Sequence, residues 1–152
     1  MNDFEVSFNS PQCGFMSIGF VGPEGEFHTT TANTPHAAAL PELLSILSGF
    51  LDGDDGVRVL QWNRDPEEYD FRFSRTDDEL AIQIYEYPTG DRAEDKKELV
   101  FSHRGGVREV CGAFAETFRQ LFDDRETDEF EFNWRRPFPE TEFTELERQL
   151  SA

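Results

Sequence analysis

The side chains able to do chemistry are few and scattered: Cys13 and Cys111, His28, His36 and His103, and a large surplus of carboxylates. A thiol nucleophile needs a neighbouring base, and Cys13 in SPQCG has none beside it in the sequence. Cys111 falls on an apolar stripe, where a free cysteine behaves as a small hydrophobe. Two cysteines cannot make a disulfide framework, and neither has metal-ligand spacing. His28 and His36 flank TTTANTP, which makes them the candidate ligand-binding residues of that loop, with partners to come from elsewhere in the fold.

Clustered carboxylate oxygens suit a hard cation, so Asp52, Asp54 and Asp55 in DGDDG invite a calcium reading. An EF-hand loop needs glycine as its sixth residue, and counting back from Gly56 places Leu51 first and Gly53 third, where oxygen ligands are required. A helix-to-strand turn is the simpler account, and no metal is assigned. The adjacent pairs Glu67-Glu68 and Asp77-Asp78 could act as general acid and base only with one carboxyl desolvated beside a solvated partner. Solvated hairpin turns explain them more directly. No G-x-S-x-G, glycine-rich phosphate loop or H-E-x-x-H occurs, so no cofactor is implied, and a non-enzymatic role is expected.

Charge says more than any motif. Lys+Arg 14 against Asp+Glu 32 gives a net charge of -18 over 152 residues, and Arg58 is the sole basic residue among the first 60. Nucleic-acid binding relies on cationic patches that release counterions, and no Lys/Arg cluster larger than a pair is present. Anionic membrane surfaces would repel the chain, and no apolar run approaches the ~20 residues needed to span a bilayer. MNDFEVSF has neither a basic start nor an apolar core, so it is not a secretory signal, and a cytoplasmic protein is expected. A field of this sign steers association with a basic protein partner. The expectation is an acidic protein-binding domain, such as an immunity or antitoxin-like inhibitor, with Asp52, Asp54, Asp55, Asp77 and Asp78 as the binding residues. One alternative is adaptation to a high-salt cytoplasm, which suits a chain whose only lysines are Lys96 and Lys97, and another is a small-molecule binder or enzyme with its site near the TTTANTPH loop.

The elements that must position these groups follow from periodicity. In VREVCGAFAETFRQLF, Val107, Val110, Cys111, Phe114, Phe118 and Leu121 share one stripe of a helix. Leu40, Leu43, Leu44, Leu47 and Leu51 mark a second helix, starting near Leu40 or Pro41 because proline is tolerated only in a first turn. Alternating patterns predict three strands before it, within residues 4–8, 16–20 and 27–31, and four after it, within residues 57–62, 69–74, 80–87 and 99–103. EFEFNW alternates Phe130, Phe132 and Trp134 and reads as a last strand. Thr141 to Leu150 reads as a short terminal helix, with Thr144 and Glu147 as a capping box. Trp62, Tyr85 and Tyr87 are expected on the sheet face away from the helices. The predicted whole is a single α+β domain spanning 1–152, a two-layer sandwich. Its curved antiparallel sheet of seven or eight strands carries two main helices on one face.

Overall fold

The computed structural model of the chain describes residues 3–152. Seven strands and four helices follow in the order β1 (Glu5–Phe8), β2 (Phe15–Gly22), β3 (Gly25–Ala32), α1 (Ala39–Leu51), β4 (Gly56–Asn63), β5 (Glu68–Thr76), β6 (Glu79–Tyr87), β7 (Glu98–Gly106), α2 (Val107–Asp123), α3 (Phe130–Trp134) and α4 (Glu140–Ser151). The α+β class and the antiparallel pairing agree with the sequence. The single sheet does not. β1-β2-β3 form one antiparallel sheet and β4-β5-β6-β7 another. What joins β3 to the large sheet is not a backbone ladder but side chains: the Trp62 indole of β4 donates to the Ala32 carbonyl at 2.9 Å, and the Thr29 hydroxyl meets the hydroxyl of Tyr69 on β5 at 2.6 Å. At this junction the indole, rather than a backbone group of β4, takes the Ala32 carbonyl.

The stripe of α2 is buried as its spacing requires. Its central ring, Phe114, lies 6.0 to 6.3 Å from the rings of Phe4, Phe8, Phe20 and Phe73, so one residue touches both sheets. Phe20 of the small sheet also meets Phe71 and Phe101 of the large one. The small sheet and α2 therefore cover the same face of the four-stranded sheet. Cys111 is buried here, its thiol pointing at the Leu47 carbonyl of α1, and burial pushes it up to about 12, which leaves it unreactive near neutrality.

Local differences have local causes. EFEFNW is the short helix α3 rather than a strand. Phe130 and Trp134 are four residues apart, so one turn of helix buries both while Phe132 points out, 77% exposed. Period two and one helical turn are indistinguishable over so short a run. Left-handed residues Glu129 and Arg135 bound it. The terminal helix is present, but it starts at Glu140, so Thr144 lies within it and no capping box forms. Trp62 is buried in the core and not on the open face, where Tyr85 is half-buried and Tyr87 buried.

Replacing Phe114 by Ala removes the ring on which both sheets converge. The expected loss is about 3–5 kcal/mol of unfolding free energy in urea titration, against less than about 0.5 kcal/mol for Phe132→Ser. Comparable losses for the two variants would contradict this account of the core.

Candidate interaction surface

The two acidic turns, 22 or more residues apart in sequence, meet at one end of the molecule. β4 begins where β5 ends, with Gly56 opposite Arg75, so the α1–β4 turn lies beside the β5–β6 turn. Arg75 staples them. Its guanidinium donates to the Phe50 carbonyl at the end of α1 and to the Asp77 carbonyl at 2.6 Å, and stands 3.5 Å from the Asp78 carboxylate. Asp78 in turn accepts the backbone N–H of Val107 through its carbonyl at 2.8 Å, which ties this turn to the start of α2. Asp54 pairs with Arg58 at 3.0 Å. Among the described residues, Asp52, Asp55 and Asp77 have no cation within ion-pair distance. Carboxylates gathered at a helix C-terminus add to the negative end of its dipole. Asp77 has φ 56°, a left-handed turn conformation that aspartate tolerates better than most residues.

The structure separates the three histidines. His28 is exposed on β3 and meets Glu26 at 3.3 Å. His103 stacks on Phe4 with ring centroids 4.3 Å apart, and burial holds its imidazole below the usual range. His36 lies 3.0 Å from Glu68. Glu68, expected in a solvated turn, is instead buried, its side chain 10% exposed, because β5 starts there and Arg92 folds over it. Arg92 contacts Glu68 at 2.6 Å and Asp70 at 2.5 Å, and reaches the carbonyls of Trp62 and Tyr69. The Tyr87 hydroxyl donates to Asp70 at 2.9 Å. Burial first, then the hydrogen bond to Asp70 and the charges of Asp70 and Glu94, push this phenol up to about 12. The network holds charges of both signs in mutual contact, which is how buried ion pairs persist. It serves as a clamp on the β4–β5 hairpin end.

Two cavities lie elsewhere, and neither includes His28 or His36. The larger, about 550 Å³, is a groove between β1 and α2 whose lining carries Glu5, Glu116 and Asp124 and no cation. At its floor Thr117 closes the β1 edge, its hydroxyl accepting from the Phe8 N–H at 2.8 Å and donating to the Phe8 carbonyl at 3.3 Å. The smaller, about 430 Å³, adjoins α3. No family model, curated protein or solved structure matches this chain. Among the described residues, no group of three or more His, Cys, Asp or Glu is placed to hold a metal ion. No helix of the described residues is long and apolar enough to cross a membrane.

The network of Glu68, Asp70, Tyr87 and Arg92 was not legible in the sequence, since its members sit on three separate segments. Tyr87 and Asp70 on the non-core face of neighbouring strands were the available signal.

The shifted phenol has a thermodynamic consequence with a definite sign. A raised pKa means the unfolded chain loses this proton first, near pH 10, so stability is intact below that value and falls as pH rises towards about 12. The slope reaches at most about 1.4 kcal/mol per pH unit for this group. Tyr87→Phe should reduce the alkaline loss of melting temperature and remove the latest-ionising component of the phenolate absorbance titration. An unchanged titration curve would show that Tyr87 is not the protected phenol.

Proposed function

We propose that this chain is a non-enzymatic protein-binding domain whose acidic end engages a basic protein partner, in the manner of an immunity or antitoxin-like inhibitor. The observation that carries the reading is the convergence of Asp52, Asp54, Asp55, Asp77 and Asp78 on one end, with Arg58 and Arg75 as the cations paired to them. A local excess of carboxylate at the negative end of α1, in a chain of net charge -18, is the arrangement that accelerates encounter with a cationic surface. Rim charges of this kind act mainly on the association rate, and their effect falls with ionic strength.

A ligand-binding site at His36 has one observation in its favour, the buried carboxylate of Glu68 beside it. That carboxylate is already engaged by Arg92, which leaves little capacity for a substrate or a proton transfer. The protein-binding reading is therefore the stronger of the two.

The test is capture from the native host at low and high salt beside an equally acidic unrelated protein, followed by association kinetics with the captured partner. One near-stoichiometric basic protein, absent from the control, is expected. Reversing Asp52, Asp54, Asp55 and Asp78 to Lys, with Asp77→Asn to keep the left-handed turn, should slow association about tenfold or more at low salt. The melting temperature should stay within about 4 °C of the parent. Association rates that do not move would refute the assignment of these residues. A protein that unfolds in dilute buffer and refolds in molar KCl, with no such partner, would instead make the charge a solvent adaptation.

A further inference from the structure

The acidic end adjoins an open strand edge. β4 is an outer strand of the four-stranded sheet, and Gly56, Val57, Arg58 and Val59 are all exposed. Val57 and Val59, at 47% and 44%, are two of the few large apolar residues left in water. The bonding pattern of the hairpin identifies which backbone groups point outward. Arg64 N–H donates to the Glu67 carbonyl at 2.8 Å, closing the loop, so the bonded pairs of the antiparallel ladder fall on Trp62–Tyr69, Leu60–Phe71 and Arg58–Phe73. The two-residue turn between Thr76 and Glu79 fixes the same alternation from the other side of β5. Val57, Val59 and Gln61 therefore turn their N–H and C=O groups away from β5, and none of the hydrogen bonds found among the described residues takes them.

Two stretches of outer strand are closed by side chains. Thr117 occupies the outward groups of Phe8 on β1, and the far half of β4 is sealed by Trp62 against Ala32. The first half of β4 has no such cover. An edge carrying unpaired backbone groups and β-branched side chains is a template for another strand, and natural proteins usually blunt it.

We propose that this half of β4 is a docking edge, on which an extended segment of the basic partner adds as a fifth strand of the sheet. This inference rests on the protein-binding reading and gives it a structural mode. The charge placement selects the occupant. Asp54 and Asp55 stand immediately before the edge and Asp65 and Glu67 just beyond its far end, outnumbering Arg58 and Arg64 in the same stretch. An added strand with apolar residues over Val57 and Val59 and lysines or arginines elsewhere satisfies the backbone groups, the valines and the carboxylates together. A second copy of this chain fits less well, since pairing β4 with β4 brings the acidic turns of two molecules of net charge -18 to one shared edge.

The test uses the full chain and three fluorescein-labelled peptides: KVKVKVKVK, the same peptide N-methylated throughout, and EVEVEVEVE. The unmodified cationic peptide should bind at least about tenfold more tightly than either of the others. It should also slow hydrogen exchange at the Val57 and Val59 amides about tenfold or more, since an amide donating to the added strand is protected. Val59→Pro removes an outward N–H that the fold does not use, and should weaken binding to a similar degree. If that variant does not fold, the N-methylated peptide makes the same comparison without altering the protein. Equal binding of the methylated and unmodified peptides overturns strand addition and leaves the basic-partner reading standing. Equal binding of the acidic peptide overturns both, and no binding of any peptide at millimolar concentration overturns strand addition alone. A free protein that sediments as a dimer with Val57 and Val59 already protected overturns the proposal in favour of self-pairing.

Discussion

The contact of Phe114 with rings from both sheets is the constraint on which the rest of the architecture depends. The three-stranded sheet, whose first strand has four residues, is anchored by laying Phe8 and Phe20 against α2 and the large sheet. Once Phe114 is seated, Thr117 lies one turn further along α2, where its hydroxyl closes the edge of β1. The outward side of the same helix then forms one wall of the β1–α2 groove. A single buried stripe thus sets the position of a sheet, the closure of its edge and the wall of a groove.

Because the core is so rich in phenylalanine, the surface is left to the charges, and the few arginines are used as structural staples. Arg75 joins the end of α1 to the β5–β6 turn, and Arg92 spans Glu68, Asp70 and two backbone carbonyls. Guanidinium suits such work, since its several donors reach a carbonyl and a carboxylate at once. The carboxylates that remain unmatched by these staples define the negative surface. At the α1–β4 end they border an edge strand whose outward backbone groups at Val57 and Val59 are unpaired, so a long-range attraction and a directional set of hydrogen bonds stand side by side.

The elements were largely legible and their assembly was not. The stripe of α2, the leucines of α1 and the seven alternating segments each carry enough residues of one period to identify themselves. EFEFNW does not, because five residues with apolar positions two and four apart satisfy a strand and a helical turn equally. Trp62 departs from its expected face for a different reason. Strand alternation says which residues share a face but not which face is covered, and the covering layer here comes from a second sheet that the pattern did not separate. Of the candidate site residues, His28 and His36 share a loop in sequence but face different neighbours in space, Glu26 and Glu68.

By itself, then, the sequence determined the local elements, the hairpin turns and the sign and size of the charge, because each depends on the types and spacing of neighbouring residues. Tertiary structure alone decided that the strands split into two sheets, that Glu68 is buried under Arg92, and that the turns at Asp52–Asp55 and Asp77–Asp78 lie together. It also decided that Val57 and Val59 stay uncovered. These are questions of which distant surfaces meet, and the free energy that answers them comes from burying apolar area shared between segments, a quantity no single segment carries.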